Sequence, residues 1–195
     1  MIGYISLKVV KKLVDKSLIN DTDEELYVYG LFVLLSQILY FILTITIGFL
    51  FNIVLERIIF YIAFQFIRRY AGGIHASSEL KCEVATTTSI FICLFCTKMC
   101  EMNNIQIPIL ILTMIAAISI FILCPLDTPE KPLTKKKYKY FRKISWIILL
   151  LIMLTICIGG FFKLEFLLYP CCMSLILEST LLVLGKIKRL IKNNG

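Results

Sequence analysis

The chain has 195 residues, 59% of them hydrophobic, and a formal net charge of +8. Its mean hydropathy of +0.88 is far too apolar for a soluble domain of this length, so the bilayer must act as its solvent. The polar stretches are too short to bury a core of their own. We therefore expect one polytopic membrane domain over residues 1–195. Nucleic-acid binding is not expected, because the positive charge is scattered and no nucleic-acid-binding motif accompanies it.

Residues 1–25 predict an amphipathic cytoplasmic segment. The first residues lack the continuous apolar core and the small-residue cleavage site of a signal peptide. On a helical wheel, one arc carries lysines and the other carries apolar side chains: Lys8, Lys11, Lys12 and Lys16 against Ile2, Ile5, Val9, Val10, Leu13 and Val14. Such a helix would lie on an anionic membrane surface.

Six apolar runs then follow along the chain, at residues 27–50, 53–67, 84–100, 105–124, 144–162 and 164–184. A full transmembrane helix needs ~20 residues, and ~17 are tolerated. The second and third runs are short, so either could be a partial or re-entrant element whose polar backbone is covered by protein or water. The predicted fold class is an all-α integral membrane protein with about six transmembrane helices and an N-terminal amphipathic interfacial helix.

The basic residues predict the orientation of these spans. Lys and Arg concentrate in the N-terminal segment, in segment 68–83, in the basic loop 125–143 and in the C-terminal tail, whereas the alternate loops carry only Arg57 and Lys163. By the positive-inside rule, both termini and both large segments are cytoplasmic. The expected location is the plasma membrane, crossed several times.

The eight cysteines do not predict a disulfide framework. Most lie in or beside apolar runs, where Cys behaves as a small hydrophobic residue. Cys93 and Cys96 match a CxxC pattern, but they sit within a span without a companion His or a second CxxC. Ordinary packing is therefore favoured over a redox or metal site, and no metal or cofactor is expected.

The only histidine lies in a hydrophilic patch between the second and third runs. The patch reads Arg68-Arg69-Tyr70-Ala71-Gly72-Gly73-Ile74-His75, and Cys82 follows seven residues later. Gly72 and Gly73 permit a sharp turn, and Ser77-Ser78-Glu79 is typical of a helix start. Cys82 would then lie about one turn into the next helix. In one straight helix the two residues would be ~10 Å apart along the axis, so we expect His75 to lie in the loop and fold back.

This arrangement would favour covalent chemistry at Cys82. A helix N-terminus and the cations Arg68, Arg69 and Lys81 all favour a thiolate. A Cys–His pair is the minimum for acyl transfer, with the thiolate attacking and the imidazole relaying a proton. The alternative is an incidental His and Cys at a membrane boundary, with the arginines acting only as an inner anchor.

The patch from Arg68 to His75, with Cys82 after it, resembles the signature of the accessory gene regulator B (AgrB) family. These proteins are membrane-embedded cysteine endopeptidases of Gram-positive quorum sensing. Residues 124–132, Cys-Pro-Leu-Asp-Thr-Pro-Glu-Lys-Pro, followed by Lys135-Lys136-Lys137, resemble the family's Pro-x-Asp-x-Pro-x-Lys-Pro loop. Length, basic loops and the number of spans agree over the whole chain.

The resemblance implies both a substrate and site residues. The substrate would be an AgrD-like signal propeptide with an amphipathic leader, a signal core and an acidic tail. Cys82 would be the nucleophile and His75 the general base, then acid. Removal of the tail would leave the core as a thioester on Cys82, and the core would then cyclise to a thiolactone or lactone. Supporting candidates are Arg68, Gly72, Gly73, Lys135, Lys136 and Lys137.

Two rival readings stay open at this point. One is a small transporter or peptide exporter without proteolytic chemistry, in which the basic loops only set the topology. The other is a structural membrane partner. The oligomeric state is also open, with a homodimer as one option. Glu178 and Gln37 lie within spans, where polar side chains are costly, but the sequence assigns them no role.

Overall fold

The structure is a computed structural model that describes residues 2–51, 53–73, 79–103, 105–126 and 134–194. Some side chains within these ranges are also outside the description, at positions 40, 44, 47, 50, 51, 79–87, 90, 94, 101 and 192–194. The predicted general base His75 therefore lies outside the described residues. For Cys82, the backbone is described and the side chain is not.

Helices make up nearly all of the described chain, as predicted for an all-α protein. They are α1 (Ile2–Asp15), a short 3-10 turn (Asp21–Asp23), α2 (Glu24–Phe51), α3 (Val54–Ala71), α4 (Glu79–Met102), α5 (Gln106–Leu123), α6 (Lys135–Phe161) and α7 (Glu165–Asn194). Within the described ranges the β structure is one isolated bridge, between Gly72 and Leu126. Each predicted apolar run has become one helix.

The chain divides into two compact units, Met1–Ile47 and Gly48–Gly195. The first unit contains α1 and most of α2. In α1 the lysines are exposed, while Ser6 and Val10 are buried. Of the predicted apolar arc, Ile5 and Val9 are exposed in this unit whereas Val10 is buried, so the position of α1 on a membrane surface stays a prediction. That residues 1–195 form one membrane domain stays a prediction.

Helix α7 is the central element of the second unit. It packs against α3, α4, α5 and α6. In the apolar span of α7, 67% of the residues are buried, whereas 28% are buried in each of the spans of α5 and α6. The apolar core around it includes Phe60, Phe64, Ile67, Ile109, Ile120, Leu149, Ile152, Leu168, Tyr169 and Leu175. Because most of this apolar span lies inside the bundle, the polar residues Ser174, Glu178 and Ser179 along it are surrounded by protein.

Four helices of the described chain are long and apolar enough to cross a bilayer. The spans are Asp21–Leu43, Gln106–Leu123, Lys135–Phe161 and Glu165–Ile191. The second and third predicted runs have become α3 and α4. Each of these is an unbroken helix, but the apolar stretch of α4 is only Phe91–Cys100. The count of six crossings stays a prediction.

Two details of the basic segments differ from the sequence-based expectation. Residues 135–143 are not loop, because α6 begins at Lys135. The Thr134 side chain caps this helix by accepting a hydrogen bond from the Lys137 N–H at 3.4 Å, as threonine commonly does. Arg57 is not a loop charge either, because it lies within α3 and is only 1% exposed.

Candidate active site

The C-terminal end of α3 forms a tight turn. Helix α3 ends at Ala71, and the Gly72 N–H donates to the Arg68 carbonyl at 3.2 Å. Gly72 has a φ of +83° and Gly73 a φ of +136°, values that side chains with a Cβ rarely adopt. The two glycines therefore serve the turn that the sequence predicts for them.

This turn is joined to the second motif. The Leu126 N–H donates to the Ala71 carbonyl at 2.8 Å, and Gly72 and Leu126 form a parallel bridge. Leu126 belongs to the Cys-Pro-Leu-Asp motif that follows α5. Ala71 and Leu126 are 55 positions apart in the chain, yet their backbones are hydrogen-bonded to each other. Gly72 is also needed for this approach, because a Cβ there would lie 2.7 Å from the Leu126 oxygen.

The start of α6 lies at the same end of the bundle. The ring of Tyr70, in the last turn of α3, packs edge-on against the ring of Phe141 with their centroids 5.7 Å apart. Phe141 lies about one turn after the lysine run 135–137, whose side chains are all exposed. Cations in the first turn of a helix are disfavoured by its dipole, so helix stability does not account for these lysines.

Arg68 connects the turn to the centre of the bundle. Its Nη1 donates to the Gly72 carbonyl at 2.8 Å and lies 3.7 Å from Oε2 of Glu178, in α7. Glu178 is completely buried, whereas the Arg68 side chain is 22% exposed. Buried charges in membrane proteins face the interior and pair with one another. The pair therefore links the α3 turn to the central helix.

The backbone of Cys82 is where the sequence predicts it. Helix α4 begins at Glu79, so Cys82 lies in its first turn. A helix N-terminus favours a thiolate over a thiol. Ser77 and Ser78, the predicted capping residues, lie outside the described residues, as His75 does. The structure thus brings together Arg68, Gly72 and Gly73 but does not describe the reacting atoms of the predicted pair.

Sequence reasoning missed the contacts that Glu178, Leu126 and Phe141 make with this end of α3. For Glu178 a signal exists, because a carboxylate in an apolar span needs a partner. The identity of that partner depends on how α3 packs on α7, which one sequence does not reveal.

Gln37 is exposed within its own unit. Cys93 and Cys96 are free thiols on α4.

The class of protein follows from these features. In the second unit, apolar helices long enough to cross a bilayer pack against the central helix α7, whose buried Glu178 faces Arg68 of α3. These features define a multi-pass membrane protein. The sequence model of accessory gene regulator B matches residues 6–183. The chain therefore belongs to the accessory gene regulator B family, which supports the accessory gene regulator role in quorum sensing.

Individual relatives are similar over most of their length. An AgrB-like protein of Clostridium perfringens strain SM101 is 33% identical over 160 residues, covering 76% of this chain and 72% of the relative. The AgrB-like protein 1 of C. perfringens strain 13 is 32% identical over 174 residues, covering 80% and 87%. An AgrB-like protein of Listeria innocua is 27% identical over 154 residues, covering 74% and 73%. No solved structure gives a significant match.

Proposed function

We propose that this chain is a membrane-embedded cysteine endopeptidase that processes an AgrD-like signal propeptide. It removes the C-terminal tail of the propeptide and promotes cyclisation of the signal core to a thiolactone or lactone. Family membership supports the propeptide as the substrate. The observation that carries the proposal is the hydrogen bond between Leu126 and Ala71, because it places the two motif-bearing segments at one end of the bundle.

In the proposed reaction, the Cys82 thiolate attacks the carbonyl carbon of the peptide bond that joins the core to the tail. His75 takes the thiol proton and then gives it to the leaving amine of the tail. The peptide C–N bond breaks, and the core stays attached to Cys82 as a thioester. A thiol or hydroxyl of the core then attacks this thioester, and its proton passes to His75 as Cys82 leaves as a thiolate.

The energetics favour a membrane-held substrate. Exchanging a peptide bond for a thioester is uphill, whereas exchange of that thioester onto a thiol of the core is nearly neutral. Release of the tail must therefore drive the reaction forward. A substrate whose leader and tail are both held at the membrane presents its scissile bond at a high effective concentration.

The transporter alternative predicts a row of ionisable groups through the spans. In the part of the chain that the structure describes, the charged side chains that are fully buried are Arg57 and Glu178. Glu178 faces Arg68, which lies in the last turn of α3. The Arg68–Glu178 pair lies beside Gly72 and Gly73 of the first motif, which supports an enzyme site at the C-terminal end of α3.

The direct test is co-expression with a neighbouring propeptide of the AgrD type. Mass spectrometry of the products should detect a free tail peptide and a core whose mass is lower than that of the linear acid by one water. Propeptide expressed alone should stay intact. Intact propeptide in the presence of this protein, inserted at normal levels, would contradict the proposal.

We also propose that the candidate site faces the cytoplasm, because the basic segments alternate along the chain. Asn103 and Lys137 are both exposed, so a cysteine at either position is accessible to a reagent. In a background without other cysteines, an impermeant thiol reagent should label Asn103→Cys in intact cells and Lys137→Cys only after lysis. Labelling of Lys137→Cys in intact cells would overturn this orientation.

The lysine run 135–137 is expected to hold the acidic tail of the propeptide. The run adds three exposed cations to a helix N-terminus, which itself attracts anions. Each exposed charge contributes up to ~1 kcal/mol, and salt weakens the attraction. Neutralising all three lysines to Gln should therefore raise KM several-fold and flatten its salt dependence, with little change in kcat.

The matched control for the lysine run removes an equal positive charge from the end of α7. The substitutions are Lys186→Gln, Lys188→Gln and Arg189→Gln, all at exposed positions, and this variant should keep its KM. Both variants are compared at equal membrane levels, because the same charges also contribute to topology. If the 135–137 variant keeps the wild-type KM and its salt dependence, the lysines do not bind the propeptide tail and act only as a membrane anchor.

A further inference from the structure

We propose that Glu178 is a positioning residue of the candidate active site. Its carboxylate fixes the Arg68 guanidinium, and Arg68 in turn holds the turn at Gly72 and Gly73 from which the chain continues toward His75. The inference rests on the proposed function for its catalytic consequence. Its structural part, the coupling between α7 and the turn after α3, can be tested separately.

The first step of the argument is the burial of Glu178. It is 0% exposed and lies on α7, the helix that packs against four others of its unit. Neither of its carboxylate oxygens has a hydrogen-bond partner among the described residues, and the nearby cation is Arg68, with 3.7 Å between Oε2 and Nη1. A buried carboxylate without hydrogen bonds is costly, and the Arg68 guanidinium supplies a counter-charge that offsets part of this cost.

The second step is the contact between Arg68 and the turn that follows α3. The same nitrogen that faces Glu178 donates to the Gly72 carbonyl at 2.8 Å. A Cβ at Gly73 would overlap the guanidinium, so the turn passes directly against this group. The Arg68 side chain is thus fixed on one side by α7 and on the other by the turn.

The third step connects the turn to the site. Leu126 of the second motif hydrogen-bonds to Ala71, and the chain runs from Gly73 to His75 in two residues. We therefore expect a shift of the Arg68 guanidinium to displace the turn and, through the hydrogen bond to Ala71, the Leu126 segment as well. Because acyl transfer depends on sub-ångström placement of the reacting groups, loss of Glu178 should slow the chemical step more than it weakens substrate binding.

The main experiment measures kcat and KM of Glu178→Gln for propeptide cleavage in membrane vesicles, at equal inserted protein. We expect kcat to fall roughly 10- to 100-fold with KM changed less than about two-fold. Glu178→Asp keeps the charge and should retain more activity than Glu178→Gln. Glu165→Gln is the matched control, because it makes the same change at an exposed position of the same helix, and it should behave as wild type.

A double variant separates positioning from folding. Arg68→Gln combined with Glu178→Gln removes both charges and leaves no buried charge without a partner. We expect this variant to insert, to cleave as slowly as the slower single variant, and to show no further loss. Wild-type kcat in the double variant or in Glu178→Gln would overturn the proposal. Failure of the double variant to accumulate would also overturn it, since the pair would then serve folding.

Amide hydrogen exchange gives a readout that does not depend on cleavage. Peptides that cover Gly72 and Leu126 should exchange faster in Glu178→Gln than in wild type, while peptides from α5 should not. If the exchange differs as expected but wild type does not cleave propeptide, the proposed function fails and the coupling stands. If wild type cleaves but Glu178→Gln leaves both exchange and kcat unchanged, the positioning role fails alone.

Discussion

Replacing Cys82 or His75 by Ala should abolish cleavage of the propeptide. Removal of the nucleophile leaves no atom to form the thioester, and removal of the imidazole leaves the thiol and the departing amine without proton transfer. For residues that act as one unit, each single loss is expected to cost at least roughly 1,000-fold in rate. The measurement is the rate of tail release in vesicles that contain equal amounts of inserted protein.

The matched control for the cysteine is Cys157→Ala on α6. Cys157 is also a free thiol and is exposed on its helix, so its removal tests for a general effect of losing a cysteine. It should cleave at the wild-type rate. Cleavage at near wild-type rate by Cys82→Ala or by His75→Ala would show that the assigned pair is wrong, whatever the family resemblance.

The substitution Gly72→Ala should strongly slow cleavage, because it changes the turn in the described part of the site. Gly72 has a φ of +83° and a ψ of −148°, a region occupied almost only by glycine, and an alanine there costs about 1–3 kcal/mol in strain. The added Cβ would also lie 2.7 Å from the Leu126 carbonyl oxygen. The turn and the Leu126 segment would have to separate, and we expect kcat to fall roughly 10-fold or more.

The control for this change is Gly160→Ala on α6. A Cβ at Gly160 would meet its nearest neighbour, Gln106 Nε2, at 3.9 Å, which is ordinary van der Waals contact. Alanine also favours a helix over glycine, so this variant should insert and cleave like wild type. If Gly72→Ala inserts normally and cleaves at the rate of Gly160→Ala, the turn does not support the site.

The helices could be predicted from the sequence because their signal is local. The apolar runs 105–124 and 144–162 correspond to α5 and to most of α6, and the Ser77-Ser78-Glu79 pattern predicted the start of α4 at Glu79. The start of α6 was placed too late, because the lysine-rich residues 135–143 give no apolar signal. They are nevertheless helical, capped by Thr134.

The site could be predicted only in part, since its contacts are not local. The turn at Gly72 and Gly73 follows from the residues themselves. The hydrogen bond from Leu126 to Ala71 and the pairing of Arg68 with Glu178 depend on which helices pack together. Such packing between membrane helices is set by close side-chain fit rather than by composition. Arg57 was likewise predicted to lie in a loop, whereas it lies within α3 and is buried by helix packing.

The acyl-enzyme itself gives the most direct test of the central claim. A propeptide whose core nucleophile is replaced by alanine can be cut but cannot cyclise, so the thioester should accumulate. Intact-protein mass spectrometry should then show an adduct equal to the propeptide minus its tail, located on Cys82 and removed by hydroxylamine. Release of the tail without any adduct, or an adduct on another cysteine, would contradict the proposed mechanism.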